Sequence, residues 1–218
     1  MSNRPAARRD EKLDPKPLRL AVLASGQGTN LQNILQKISS GELNGVELAL
    51  VVSNNSASGA ISVAEAADIP VAHISAVRQG SQQAADSELL RVLKAHSIDL
   101  IVLAGYMKKI PSEVTREFSG RIINVHPALL PKFGGAGMYG IKVHEAVIEG
   151  REKESGATAH LVTDEYDEGP VILQERCEVL PTDTPESLSQ RVREVEFDLL
   201  PKAIQLIADK ILNPIRTS

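Results

Sequence analysis

The sequence LRLAVLASGQGTNLQNILQKI, residues 18–38, combines an apolar run, a glycine turn and an amphipathic stretch. Residues 18–24 are continuously apolar apart from one arginine, which is typical of a strand covered on both faces of a parallel sheet. The turn at 25–28 contains two glycines, and apolar residues then recur at helical spacing from Leu31 to Ile38. This order predicts the first strand–turn–helix unit of a parallel sheet.

The same alternation continues along the chain. Further parallel strands are predicted over residues 46–53, 70–74, 98–105 and 121–127, with helices over 61–69 and 87–96. Next come a glycine-rich loop at 129–140, a helix at 142–150, and strands at 156–164 and 170–180. The tight connection between those two strands predicts antiparallel pairing. A last helix is predicted over 185–212, with a kink or break at Pro201.

These elements predict the α/β class: a mainly parallel twisted sheet with helices on both faces and an antiparallel C-terminal extension. Residues 1–17, with three prolines and no apolar period, are predicted to form a flexible tail. Residues 18–218 are predicted to form a single domain with two lobes on one sheet. The first lobe, 18–120, contains the glycine turn, and the second, 121–212, contains the glycine-rich loop.

Composition limits the classes of function. The chain has 218 residues, of which 42% are hydrophobic and 24% charged, as in ordinary globular proteins. The net charge of −4 argues against nucleic acid or an anionic membrane as the main partner. No apolar run is long enough to span a bilayer. The single cysteine, Cys177, excludes an intramolecular disulfide, so we expect a cytoplasmic protein with Cys177 in its core.

The turn Ser25–Gly28 lies between a strand and a helix, where backbone N–H groups and the helix dipole favour an anion. It is not a dinucleotide fingerprint, because Leu31 stands in the place of the third glycine. No acidic residue follows the second strand, so NAD is disfavoured as a ligand. The turn predicts a site for one phosphate, and the alternative is a tight turn that binds nothing.

Asn124 and His126 lie two residues apart on a predicted strand, so their side chains share one face. They are at the C-terminal end of that strand, where open α/β sheets bind ligands. An amide donor beside an imidazole suits an acyl-type transition state that develops an oxyanion. The alternative is a polar pair that only caps the following loop.

The segment Thr163–Gly169 carries four acidic residues on a turn, a pattern that elsewhere is usually a solvated surface. The histidines at 126, 144 and 160 lack the close spacing of zinc-binding helices, so no metal site is predicted. The sequence contains no G-x-S-x-G elbow, which argues against a serine acyl-enzyme.

Six segments together resemble one family: LASGQGTNLQNIL, VVSNNSASG, DLIVLAGYMKKI, RIINVHPALLPKF, ESGATAHLVTDEYDEGPVILQ and RVREVEFDLLPKAI. They are similar to the folate-dependent formyltransferases, in the branch that acts on glycinamide ribonucleotide in purine synthesis. The resemblance covers residues 18–210 in the family's order. It implies a Rossmann-like formyltransferase fold, with a phosphate-binding first lobe and a folate-binding, catalytic second lobe.

The resemblance also implies the roles of single residues. It assigns catalysis to Asn124, His126 and Asp167. It assigns glycinamide ribonucleotide to Gly28, Thr29, Asn30 and Glu196. It assigns the folate to Gln82, Met107, Lys108, Lys109, Ile110, Asn124, Val162, Thr163, Asp164, Glu165, Tyr166 and Asp167. Two positions depart from the family pattern, since Gln82 replaces an arginine and the loop Gly134–Gly140 is longer than in some members.

The implied reaction is a direct transfer of the formyl group of 10-formyltetrahydrofolate to the amine of glycinamide ribonucleotide. Both compounds are the expected partners, the folate serves as co-substrate, and no metal is expected. We expect a protonated His126 and Asn124 to stabilise the oxyanion, with Asp167 raising the pKa of His126. The expected oligomeric state is a monomer or a homodimer. The alternatives are a hydrolase that releases formate from the same folate and a ligand-sensing domain without catalysis.

Overall fold

A seven-stranded sheet runs through the centre of the protein, for which a computed structural model describes residues 16–214. The strands are β1 (Leu18–Leu23), β2 (Val46–Ser53), β3 (Val71–His73), β4 (Leu100–Leu103), β5 (Ile122–His126), β6 (Glu154–Leu161) and β7 (Val171–Glu178). Their order is β3-β2-β1-β4-β5-β6-β7. The first five strands pair in parallel, and β6 and β7 add antiparallel pairs. The predicted fold class is confirmed, and most of the predicted tail, residues 1–15, lies outside the described residues.

Helices cover both faces of this sheet. They are α1 (Thr29–Ser39), α2 (Gly59–Ala66), α3 (Ala76–Gln79), α4 (Gln82–Ala95), α5 (Ser112–Glu117), α6 (Ile141–Glu149) and α7 (Pro185–Leu212). Helix α4 begins earlier than predicted because the Ser81 hydroxyl accepts a hydrogen bond from the backbone N–H of Ala84 and caps the helix. Helices α3 and α5 were not predicted, since four and six residues are too few for a clear apolar period.

The last helix has the predicted limits but no break. Helix α7 continues through Pro201, which is itself buried. A proline inside a helix removes one backbone hydrogen bond, but the neighbouring Leu199, Leu200 and Ala203 are fully buried against the sheet. Packing of this apolar face holds the helix together at the proline. None of the helices in residues 16–214 is both long and apolar enough to cross a membrane.

Two apolar cores lie on the two sides of the sheet, and β1 contributes to both. Leu18, Leu20 and Val22 face the core formed with α1, α2 and α7, whereas Ala21 and Leu23 face the core formed with α4 and α5. This alternation explains why the strand is apolar at nearly every position. Ligands of such sheets bind at the C-terminal ends of the parallel strands.

Candidate active site

A cleft of about 820 Å³ opens at the C-terminal ends of β4 and β5, beside the loop 135–140 and helices α6 and α7. Eight predicted site residues line it: Asn30, Met107, Lys108, Asn124, His126, Tyr166, Asp167 and Glu196. Folding therefore brings Asn30 of the first helix and Glu196 of the last helix to one cleft. Gly28 and Thr29 are not among its lining residues and lie at the adjoining N-terminus of α1.

His126 and Asp167 face each other across the cleft floor. Nδ1 of His126, at the end of β5, lies 3.5 Å from Oδ2 of Asp167, in the turn after β6. The side chains are only 5% and 11% exposed, so water screens their interaction little. At this distance the Asp167 carboxylate stabilises a proton on the imidazole without a hydrogen bond to the neutral ring.

Asn124 is held by a histidine that sequence reasoning did not place in the site. The antiparallel register sets Asn124 opposite His160, with Asn124 Nδ2 3.1 Å from His160 Nε2. Nδ1 of His160 lies 3.0 Å from the carbonyl oxygen of Leu161 and donates to it, which fixes the ring beside the amide of Asn124. One N–H of Asn124 is thereby fixed, and the other is left for a ligand. Nε2 of His160 also lies 3.4 Å from Asp167 Oδ1.

The loop that follows β5 holds both catalytic side chains with backbone groups. Nε2 of His126 donates a hydrogen bond to the carbonyl oxygen of Phe133 at 2.7 Å. The backbone N–H of Gly135 donates to Oδ2 of Asp167 at 2.9 Å. Phe133 and Asp167 both have the left-handed backbone conformation, with φ of 57° and 56°. Such conformations are uncommon outside glycine and persist where the surrounding contacts enforce them.

Burial lowers the pKa of His126 below its usual value, although Asp167 and the Phe133 carbonyl act in the opposite direction. Asp167 does raise the pKa of His126, as predicted, but the expectation of a protonated ring is wrong, because desolvation of the imidazolium outweighs the nearby charge. For Asp167, burial raises the pKa, but its contacts with His160 and His126 outweigh burial and lower it. Near neutral pH the pair is a carboxylate beside a largely neutral imidazole.

The opposite wall of the cleft is formed by α1, α6 and α7. Glu196 of α7 has its pKa raised to about 7 by burial, against the lowering influence of Asn30 and Arg193. Arg193 lines the cleft one helical turn before Glu196 and was not singled out from the sequence. Its signal would have been the i, i+3 spacing to Glu196, which places the two charged side chains on one face of the helix.

The predicted phosphate loop has the expected backbone arrangement. Gly28 precedes α1 with φ of 83°, and a Cβ at this position would lie 2.8 Å from Cα of Ala60. No side chain caps the helix at Gly28, so the N–H groups of its first turn are free for an external acceptor. The Ser25 hydroxyl donates to Asn54 and accepts from the Met107 N–H, which ties the turn to two neighbouring strand ends.

The predicted folate residues divide between an inner cavity and outer grooves. A cavity of about 90 Å³ is lined by Ile110, Asn124, His160 and the turn 162–167. Gln82 lies in grooves farther out, together with Lys108 and Lys109. Its amide donates to Asp86 at 2.6 Å, so it is already partnered. Within residues 16–214, no group of three or more His, Cys, Asp or Glu side chains is arranged to hold a metal ion.

Residues 18–204 match the family model described as formyl transferase. The chain belongs to the formyl transferase family. It is 41% identical over 198 residues to a chloroplastic phosphoribosylglycinamide formyltransferase of Arabidopsis thaliana, covering 90% of this chain and 68% of that protein. It is 38% identical to the trifunctional purine biosynthetic protein adenosine-3 of Gallus gallus, over 90% of this chain and 19% of that protein.

The fold of this formyl transferase is also similar to solved structures. The glycinamide ribonucleotide transformylase 1 of Symbiobacterium toebii superposes with a TM-score of 0.83 at 36% identity, covering 89% of each chain. The family membership agrees with the resemblance that the sequence segments predict. The roles of individual residues rest on the geometry of the cleft and on chemistry.

Proposed function

We propose that this formyl transferase moves the formyl group of 10-formyltetrahydrofolate to the amine of glycinamide ribonucleotide. One observation carries the proposal: the pair His126 and Asp167, together with the oriented amide of Asn124, lies where an acceptor wall and a folate cavity meet. A transfer between two bound substrates needs its catalytic groups at that junction.

The acceptor's phosphate is assigned to the N–H groups of the first turn of α1, from Thr29 onward. The free N-terminus of an 11-residue helix favours an anion through its dipole and its unpaired donors. Glu196 and Asn30 are assigned to the ribose, because a carboxyl and an amide lining the cleft can share its hydroxyl groups. The acceptor's amine then extends toward His126.

The folate is assigned to the other side of the catalytic groups. Its flat pterin ring is assigned to the place where the inner cavity adjoins the cleft, because the turn 162–167 offers backbone and side-chain polar groups there beside Ile110. Its anionic tail suits the outer grooves, where Lys108 and Lys109 form no ion pair with another described residue. Lys109 instead stacks its ammonium over the Tyr166 ring at 5.4 Å.

The chemistry follows from a neutral His126. The amine nitrogen attacks the formyl carbon, and the carbonyl electron pair moves to oxygen, where Asn124 donates a hydrogen bond. Nδ1 of His126 takes the proton that the amine nitrogen loses, and Asp167 stabilises the resulting imidazolium. The carbon–nitrogen bond to the folate breaks, and the same proton passes to the folate nitrogen. Both substrates are held together, so proximity supplies much of the rate enhancement.

Several finer expectations belong to the same proposal. We propose that the reaction takes place in the cytoplasm, by a monomer or a homodimer, with no nucleic acid as partner and no metal in the reaction. We also propose that residues 18–120 serve mainly the phosphate and residues 121–212 mainly the folate and catalysis. The location follows from the single cysteine, the absence of nucleic acid from the acidic charge of the chain, and the absence of a metal from the spacing of the histidines.

The competing function is hydrolysis of the same folate to formate, with water as acceptor. One assay separates the two: 10-formyltetrahydrofolate is mixed with the protein, and loss of the formyl group is followed with and without glycinamide ribonucleotide. We expect rapid loss only when the ribonucleotide is present, with formylated ribonucleotide as product. Equal rates of formate release in both mixtures would establish a hydrolase, and no turnover in either would refute both enzymatic functions.

A further inference from the structure

His144, in α6, is a buried imidazole with no role in the chemistry described above. It is 3% exposed and lines the cleft close to Arg193 and Glu196. Its Nδ1 atom is enclosed by protein and has no hydrogen-bond partner. An unpaired polar group in the interior costs free energy, because it has lost water without gaining a replacement. A leucine at this position would avoid that cost.

The other two buried histidines differ in this respect. Both ring nitrogens of His126 face acceptors, Phe133 and Asp167, and both nitrogens of His160 have hydrogen-bond partners. Among the residues described, neither ring nitrogen of His144 has a hydrogen-bond partner. A second unpaired buried atom, Oδ1 of Asn30 in α1, lines the same wall of the cleft. Neither nitrogen of the His144 ring is committed to a partner in the protein, so its cleft-facing nitrogen is available to a ligand.

We propose that His144 binds the acceptor substrate by donating a hydrogen bond from Nε2 to the amide carbonyl oxygen beside the attacking amine. The inference rests on the proposed function, since it takes glycinamide ribonucleotide as the acceptor. The contact orients the short arm that carries the amine, so that its nitrogen faces the formyl carbon near His126. His144 would thereby select an acceptor with an amide carbonyl next to its amine.

The choice of nitrogen follows from burial. Nδ1 is the fully enclosed nitrogen, which leaves Nε2 as the one that can meet a ligand in the cleft. Enclosed N–H groups without a partner are rarer than enclosed acceptors without one, so the proton belongs on Nε2. Nε2 is then a donor, and a carbonyl oxygen is its natural partner.

A charged imidazole is not part of the contact. Burial, followed by the nearby His126 and Arg193, lowers the pKa of His144 to about 4. The ring is therefore neutral at the pH of the reaction, and it can orient the acceptor without repelling a protonated amine on its way into the cleft. Its contribution to binding stays constant through the neutral range.

The test compares three variants at this position. His144→Leu removes both nitrogens, His144→Gln keeps a donor near the position of Nε2, and His144→Asn places its amide near the position of Nδ1. We expect His144→Leu and His144→Asn to lower kcat/KM for glycinamide ribonucleotide about tenfold, the effect of one lost neutral hydrogen bond. We expect His144→Gln to keep most of the activity. Binding of tetrahydrofolate, measured by calorimetry, should be unchanged in all three.

Val147→Ala is the matched control, because Val147 is buried on the same helix and lines a separate cavity behind the cleft. We expect it to lower the melting temperature without changing KM for the ribonucleotide, whereas His144→Leu should melt no lower than the wild type. If His144→Leu keeps the wild-type KM and kcat, or if its losses follow melting temperature as in Val147→Ala, the proposal is refuted. If the wild type itself does not bind the ribonucleotide in calorimetry, the proposed function fails as well.

Discussion

The two walls of the cleft differ in whether their polar side chains have hydrogen-bond partners within the protein. On the catalytic wall, formed by β5, β6 and the loop after β5, each functional side chain is held by protein contacts: Asn124 by His160, His126 by Phe133 and Asp167 by Gly135. On the acceptor wall, formed by α1, α6 and α7, Asn30 and His144 each keep an enclosed atom without a partner. Glu196 there has a raised pKa of about 7 because it is buried.

This difference indicates a division of labour. Catalytic groups must already be in place when charge develops, so the fold fixes them before any substrate arrives. Binding groups gain most when they are paired only in the complex, since pairs within the protein would compete with the substrate. The contrast predicts that substitutions on the catalytic wall reduce kcat, whereas substitutions on the acceptor wall change KM and stability.

The largest effect is expected on the catalytic wall. Asn124→Ala removes the oriented N–H that meets the oxyanion, and kcat should fall about 10²–10³-fold, as when an oxyanion donor is lost elsewhere. KM for either substrate should change much less, because the contact strengthens in the transition state. Steady-state kinetics on folded protein measure both. A rise in KM with an unchanged kcat would mean that Asn124 only binds substrate.

On the acceptor wall, the next largest effect is a dependence of stability on pH. The pKa of His144 is lowered to about 4 in the folded protein, whereas in the unfolded chain it is near the ordinary histidine value of 6.5. The folded state therefore loses stability as pH falls from 6.5 toward 4, by up to about 3 kcal/mol from this residue. Urea unfolding at several pH values should give a smaller loss for His144→Leu than for the wild type. If both proteins lose the same stability as pH falls, His144 is not the cause of the pH dependence.

Gly28 separates a role in folding from a role in binding. Its φ of 83° and the 2.8 Å approach of a Cβ to Ala60 mean that even alanine strains the turn. We expect Gly28→Ala to lower the free energy of unfolding by about 1–2 kcal/mol, as left-handed backbone costs a non-glycine residue. Gly26→Ala is the control, since a Cβ there meets no atom within 4 Å.

The smallest effect concerns the outer grooves. Gln82→Arg adds a charge beside Lys108 and Lys109, where the folate tail is assigned. Affinity for the folate should increase by about 0.5–1 kcal/mol, which is usual for a partly solvated charge pair. Affinity for the ribonucleotide should stay the same. Calorimetry with both ligands decides, and unchanged folate affinity would place Gln82 outside the binding site.

Most of the fold could be predicted from the sequence, because the longer helices and strands each show a characteristic spacing of apolar residues. The β2 limits and those of α7 agree with the prediction, since a continuous apolar run and a long amphipathic stretch end at clear boundaries. The short helices α3 and α5 were missed for lack of a period. The glycine-rich loop was predicted as a loop. Its contacts with His126 and Asp167 depend on non-glycine residues in the left-handed backbone conformation, which the sequence pattern does not predict.

The site was readable only in part. The cleft does bring Asn124, His126 and Asp167 together, as the family resemblance implies. His160 escaped notice because its role depends on the register between β5 and β6, and a sequence reveals pairing but not register. The expectation of a protonated His126 was wrong because spacing identifies a charged neighbour but not the depth of burial.

The central claim is that His126 and Asp167 act as one catalytic unit. Its most direct test is a double-mutant cycle on kcat with His126→Ala, Asp167→Ala and the double variant, each confirmed to be folded. We predict that kcat falls about 10²–10³-fold in each single variant. The double variant should be little worse than the poorer single one, because neither group can act without the other. Strictly multiplicative losses, or full activity in Asp167→Ala, would contradict the account.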